Sequence, residues 1–196
     1  MDINQAKEVL GIEFDFIIND LNNTIRYLNL PKDAQILDVG TGKGYFAIAL
    51  ALNGYKVLTG EPESDNSTYA GQDWRGNCQK TGVEHLMEFK HFEAQDMLFD
   101  DNSFHAIFFA GVLHHIDENH RTRVFQESVR TSKPGAVICF FEPNQNGMKI
   151  IKEHDSSHPQ PANPEKYAQG LDLSSEKKKG DFFDSFIFRK ASISAQ

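Results

Sequence analysis

The residues best equipped for chemistry begin at Asp38-Val39-Gly40-Thr41-Gly42-Lys43-Gly44, an acid followed by glycines at alternate positions. This spacing lets the backbone approach a bound molecule closely, and a helix starting just beyond would point unpaired N–H groups into the same space. A phosphate-binding P-loop needs Ser or Thr after its lysine, and Gly44 stands there instead. The dinucleotide fingerprint spaces its last glycine one residue wider. Asp38, two places ahead of the first glycine, would repel a pyrophosphate and attract an ammonium group. A second set of reactive side chains follows much later, with His114 and His115 adjacent and Glu142 further on. Imidazole titrates near neutrality, so these histidines are the natural candidates for a general base, with Glu142 beside them.

Elements of regular structure must bring these residues together. Leu10, Phe14, Ile17, Leu21, Ile25 and Leu28 recur at helical spacing, which predicts one amphipathic helix over the first thirty residues, stopped by Pro31. Residues 35–39 read as a strand, 45–53 as a helix closed by Gly54, 55–60 as a second strand and 68–81 as a second helix. Further strands are predicted at 88–92, 104–110 and 136–141, with a helix at 119–132 and a turn at Lys133-Pro134-Gly135. Strands alternating with helices imply a parallel sheet covered on both faces. Residues 143–165 are rich in Pro, Asn, Gln, Ser and His and read as a surface excursion, with a short helix at 148–153 and a capped turn at Asn163-Pro164. A hairpin, residues 171–175 and 182–189 around a Lys177-Lys178-Lys179-Gly180 turn, ends the pattern. The expectation is an α/β fold: a three-layer, doubly wound, Rossmann-like and mostly parallel seven-stranded sheet with a C-terminal antiparallel hairpin.

In this setting the chain resembles class I S-adenosylmethionine-dependent methyltransferases, whose loop reads acidic-x-Gly-x-Gly-x-Gly. Ala94-Gln95-Asp96-Met97, Ala110-Gly111-Val112-Leu113-His114-His115-Ile116 and Lys133-Pro134-Gly135 are similar to further landmarks of that family, in the family's order. The resemblance covers residues 30 to 142 well. It implies S-adenosylmethionine as cofactor, with S-adenosylhomocysteine as product. Asp38, Gly40, Thr41, Gly42 and Gly44 would hold its amino-acid portion, and Glu61, with Glu63 as the alternative, its ribose hydroxyls. Asp96 and Met97 would meet the adenine, and Ala110 and Leu113 would close the site at the end of the fourth strand. The Asn/Asp-Pro-Pro-Tyr/Phe sequence that accompanies nucleic-acid amine methylation in the family is replaced by Ala110-Gly111-Val112-Leu113.

Composition narrows the partners. The 196 residues carry 28 acidic and 20 basic side chains, a formal charge of −8, which disfavours broad binding to a phosphate backbone. A small-molecule acceptor is expected ahead of a protein side chain or RNA. Neither a signal peptide nor an apolar run of membrane-spanning length is evident, so a cytoplasmic protein without membrane association is expected. Cys78 and Cys139 are too far apart in sequence to suggest a zinc framework and read as buried reduced thiols. His154 and His158, four apart around Asp155, would suit a metal only on a helix that Ser156, Ser157 and Pro159 argue against, so no metal ligand set is assigned. One domain is expected: a helical cap (1–30), a cofactor-binding core (31–142), a substrate-side excursion (143–170) and the hairpin (171–190). The alternative function is an adenosylmethionine-binding regulatory or interaction protein that transfers nothing.

Overall fold

The computed structural model describes residues 1–65, 67 and 69–192. Seven strands form one sheet in the order β3-β2-β1-β4-β5-β7-β6. Strands β1 (Ile36–Val39), β2 (Val57–Glu61), β3 (Met87–His91), β4 (Phe104–Ala110) and β5 (Ser132–Pro143) pair in parallel. β6 (Leu173–Lys178) and β7 (Phe183–Lys190) form the antiparallel hairpin, with β7 against β5. The fold is therefore the expected three-layer, Rossmann-like α/β sheet. Chain order reverses about β1, whose neighbours are β2 and β4, and open α/β sheets bind ligands at such a reversal, beyond the carboxyl ends of the strands.

Alternation along the strands assigns the two faces. Ile36, Phe108, Val137, Cys139 and Phe141 face one apolar cluster, with Phe14 and Leu21 of α2 (Ile12–Leu28), Phe46 and Leu50 of α3 (Tyr45–Leu52), and Cys78 of α4 (Trp74–Thr81). Leu37, Ile107, Phe109, Ile138 and Phe140 face the other, with Val124 and Phe125 of α5 (Glu118–Thr131) and Tyr167 of α7 (Pro164–Tyr167). There, Phe140 stacks between Phe109 and Phe125 at centroid distances of 4.4 and 4.5 Å. Offset ring pairs of this kind add roughly 0.5–1.5 kcal/mol beyond area burial. Helix α3 is apolar all round because it is wedged between the sheet and α2, and Phe46 to Ala51 are all buried.

Several boundaries differ from the sequence expectation. The N-terminal helix is two, α1 (Ile3–Leu10) and α2, because Gly11 turns the chain at φ 83°. Helix α4 begins at Trp74 rather than residue 68, where Asp73 Oδ1 accepts from Gly76 N–H at 2.9 Å; Thr68 itself lies outside the described residues. β5 is longer than expected: Ser132 pairs with Phe104 and Val137 with Ala106, so Lys133-Pro134-Gly135 belongs to a bulged strand. Helix α6 (Gln145–His154) is also longer, because Asn144 Oδ1 caps both Asn146 and Gly147 N–H. Lys177 and Lys178 belong to β6, not to the turn: Lys177 Nζ lies 2.9 Å from Asp184, and Lys178 Nζ is 3.6 Å from the centre of the Tyr27 ring. The hairpin turn is anchored to α2 by Asp20, whose carboxylate accepts from the N–H groups of Asp181, Phe182 and Phe183. Among the described residues no helix is long and apolar enough to cross a membrane.

Candidate functional site

At the carboxyl end of β1 the chain enters the glycine loop with Gly40, Gly42 and Gly44 at φ 86°, 48° and 75°, a region that side chains resist. Gly40 also lies against the loop after β4: a Cβ there would stand 2.4 Å from Val112 Cγ2. Lys43 also lines the cavity, and its ammonium group pairs with Glu13 on α2. The loop thereby becomes one wall of a cavity of about 600 Å³, which also meets Ile17 of α2, Glu61, Ala94, Tyr69 and His115. That size suits a nucleoside-sized ligand.

Glu61 closes β2 and is 8% exposed. Its Oε2 accepts from Gly42 N–H at 3.1 Å and its Oε1 from Gly71 N–H at 2.9 Å. One carboxylate thus joins the glycine loop to the segment after β2. A carboxylate has about four acceptor positions, so two remain for a ligand diol. Glu63 is exposed beyond the strand end, which leaves Glu61 as the acid in this position.

Asp38 is 1% exposed and lies beneath the loop, outside the cavity lining. Thr59 Oγ1 donates to its Oδ2 at 2.7 Å, and the Thr59 oxygen in turn lies 2.9 Å from Thr41 Oγ1. With Thr59 donating to Asp38, the Thr41 hydroxyl is the donor of the second bond, giving a chain from loop to carboxylate. Oδ1 has no hydrogen-bond partner among the described residues. Burial pushes the Asp38 carboxyl up to about 7, opposed by the Thr59 bond and reinforced by the charge of Glu61.

Of the residues expected at the cofactor, Gly40, Thr41, Gly42, Glu61 and Ala110 line the cavity. Five lie elsewhere. Gly44 faces Trp74, whose Cβ would be 3.0 Å from a Cβ at this position. Asp96 is exposed, because its N–H bonds Glu93 O at 3.1 Å and the tight turn carries its side chain outward. Met97 and Leu113 are buried in the α5-side core. Asp38 lies below the loop, as described. At the cavity wall Phe92, Glu93, Ala94 and Gln95 stand where the sequence suggested Asp96 and Met97.

The candidate bases divide in the same way. His115 lies on the cavity wall, whereas His114 and Glu142 are buried behind it, with His114 Nδ1 2.7 Å from Glu142 Oε2. That oxygen also accepts from Ala162 N–H at 2.9 Å, and Oε1 has no partner among the described residues. His115 has its pKa pushed down to about 4, first by the desolvating walls around it and then by the rings of His114 and His158. Sequence reasoning missed Tyr69, and weighed His158 only with His154. The Tyr69 ring lies 4.6 Å from His115 and 5.8 Å from His158, and its hydroxyl donates to Asp155 Oδ2 at 2.6 Å. Helix α6 ends at His154, so His154 and His158 do not share a helical face; His154 is exposed and His158 turns inward to His114 and His115.

A doubly wound sheet, a glycine loop after β1 and an acid closing β2 together define the class I S-adenosylmethionine-dependent methyltransferase fold. Residues 37–140 match the family model described as a methyltransferase domain, more than half of the chain, and the protein belongs to that family. It is 28% identical over 137 residues to a demethylmenaquinone methyltransferase of Bacillus licheniformis, covering 67% of this chain and 54% of the relative. It is 27% identical over 130 residues to the 27-O-demethylrifamycin SV methyltransferase of Amycolatopsis mediterranei, covering 64% and 46%. The chain thus spans about half the length of the curated relatives it matches. Among solved structures, a SAM-dependent methyltransferase from Aquifex aeolicus aligns with a TM-score of 0.66 at 19% identity, covering 96% of this chain and 98% of that one. The [4+2]-cyclase SpnF aligns with a TM-score of 0.68 at 13% identity, covering 88% and 80%. At such identities the likeness is one of fold, and SpnF is named for a different reaction.

Proposed function

We propose that this chain binds S-adenosylmethionine in the cavity and transfers its methyl group to a small-molecule acceptor held at the His115 end. The observation that carries this reading is one continuous cavity with Glu61 and the glycine loop on its walls together with His115 and Tyr69. The residues fit the cofactor: Glu61 retains acceptor positions for a ribose diol, Phe92, Ala94 and Gln95 offer an apolar face and an amide to an adenine, and Asp38 has a buried oxygen without a partner. Asp38 acts in this reading from beneath the loop, as a charge that favours an ammonium group. Bound adenosylmethionine supplies a methyl group on a sulfonium, a good leaving group, so the protein's own work is alignment and exclusion of water.

His115 is the candidate base of this reading, with its imidazole neutral at physiological pH; His114 and Glu142 hold that wall in place from behind. Both curated relatives are named for small-molecule substrates, which supports the same class of acceptor here. We read residues 1–196 as one methyltransferase domain, working in a reducing compartment such as the cytoplasm, in keeping with the buried free thiols Cys78 and Cys139.

Thermal denaturation with adenosylmethionine and adenosylhomocysteine tests the cofactor. At one hundred times its Kd a ligand of the native state stabilises by about 2.7 kcal/mol, and Glu61→Ala is expected to abolish that response. No shift with either ligand overturns the proposal. Radiolabelled methyl transfer to a panel of hydroxylated and amine-bearing small molecules then tests turnover. Ligand stabilisation without any transfer overturns the enzyme reading in favour of the regulatory one.

A further inference from the structure

His114, His115 and His158 each place a ring nitrogen within 4.8 Å of the others, and His115 among them lines the cavity. The first two come from the 3-10 turn Leu113–His115 after β4, and the third from the excursion beyond α6. Their ring centroids lie 4.3, 5.0 and 5.0 Å apart. We propose that these three imidazoles form a binding site for a divalent transition metal, Zn²⁺ in the first instance, with its remaining coordination position opening onto the cavity beside His115.

The tautomers support the site. His158 Nδ1 lies 3.0 Å from Pro159 O, and a carbonyl can only accept, so Nδ1 carries the proton and Nε2 is left with a free lone pair. His114 Nδ1 faces the Glu142 carboxylate at 2.7 Å, which directs its proton the same way. A ligating histidine whose second nitrogen donates to a carboxylate or carbonyl is the usual arrangement around protein-bound zinc, because the outer partner orients the ring and raises its basicity. Glu142 is itself fixed by Ala162 N–H, and Ala162 and His158 lie on the same excursion, so one buried carboxylate aligns two sides of the site.

The geometry needs little adjustment. Zinc–nitrogen bonds of about 2.0–2.1 Å place tetrahedral ligand atoms roughly 3.4 Å apart. Closing from 4.8 Å requires movement of about an ångström or more, and His115, the exposed member, has room to supply it. Three neutral imidazoles with one open position suit Zn²⁺, and also Co²⁺ or Ni²⁺, far better than Mg²⁺ or Ca²⁺, which prefer oxygen. In the open position an acceptor hydroxyl would be held and polarised, in place of proton removal by His115, whose single free lone pair the metal would take; that role rests on the proposed methyl transfer, whereas metal binding itself does not.

The test is titration of the untagged chain with Zn²⁺ by calorimetry, and with Co²⁺ by visible absorption. One ion per chain with a Kd at or below the micromolar range is expected, together with the intense bands of four-coordinate cobalt. His158→Ala and His115→Ala should each weaken binding at least a hundredfold, and Glu142→Gln by about 10- to 100-fold. His154→Ala, altered in the nearby exposed histidine, should bind as the parent does. His115→Ala removes an exposed ring, so it keeps the test valid if His158→Ala does not fold. Absence of stoichiometric binding, binding that survives both histidine variants, or equal loss in His154→Ala overturns the proposal. Stabilisation by adenosylhomocysteine is read separately, so failure of the metal site and failure of the cofactor reading are distinguishable.

Discussion

The two halves of the sheet's carboxyl edge solve the same problem with different materials. Beyond β1 and β2 the cavity wall is mostly backbone: glycines at positive φ, and N–H groups of Gly42 and Gly71 gathered by one carboxylate, Glu61. Beyond β4 and β5 it is built of side chains, with His115 in front and His114, Glu142 and His158 packed behind. The first half is specified within a short stretch of chain by residues that have no substitute. The second is assembled from segments distant in sequence, and its parts acquire meaning only from their neighbours.

The difference is sharpest at Gly40. Gly40→Val would impose a branched side chain at φ 86° and press it into Val112, where even a Cβ would lie 2.4 Å from Cγ2. Backbone strain and overpacking each cost on the order of 1–3 kcal/mol. A loss of about 4 kcal/mol in denaturant unfolding is expected, with no response to adenosylhomocysteine. A stable, ligand-responsive Gly40→Val protein would show that the loop's backbone is not what shapes this half.

Asp38 gives the next largest effect, read as a pH profile. In the unfolded chain its carboxyl titrates near 3.8, and in the folded chain burial holds the proton until about 7. Between these values the folded state binds more protons, so this group makes stability fall as pH rises, and above about 7 the loss is complete. At roughly 1.4 kcal/mol per unit the total is about 4 kcal/mol. Asp38→Asn should flatten that part of the profile and unfold later than the parent at pH 8, while losing the ligand response. An unchanged profile would remove the strained carboxylate from the description.

In the other half, Glu142→Ala leaves His114 Nδ1 and Ala162 N–H buried without their shared acceptor. An unsatisfied buried donor costs about 1–3 kcal/mol. A destabilisation of about 2–3 kcal/mol is expected, with stabilisation by adenosylhomocysteine preserved because Glu61 and the glycine loop are untouched. Loss of that response would mean that the halves are not separable.

This contrast also explains what was legible in the sequence. β4 matches its predicted bounds, 104–110, because an apolar run buried on both faces admits one reading. The loop at 40–44 was legible because alternate glycines after a strand point to close backbone approach. Asp96 and Met97 lie off the cavity wall because motif order does not say which side of a tight turn faces the cavity; the Glu93–Asp96 bridge turns Asp96 outward. Tyr69 carried no local signal, and for His158 the sequence offered only its spacing from His154, which Ser156, Ser157 and Pro159 argued against as a shared helical face; α6 ends at His154. The bulge in β5 was hidden because Pro134-Gly135 has the composition of a turn while the strand resumes pairing at Val137.

His115 carries the smallest stability effect and the finest discrimination. Its ring is exposed and lies against Tyr69 and His158, so His115→Phe retains an aromatic of similar size and should change stability by no more than about 0.5 kcal/mol. The cofactor response should also persist, because Glu61 and the glycine loop lie on the other half of the cavity, Asp38 lies beneath it, and Ala110 keeps its place at the end of β4. In metal-free protein, methyl transfer alone should fall, by the 10²- to 10⁴-fold range of a lost general base. His115→Gln separates two ways of losing it, since the amide keeps a polar group at the wall but takes up no proton at neutral pH. Recovery of transfer in the glutamine variant would make the ring a positioning group; equal loss in both variants would make proton removal the contribution of this half of the edge.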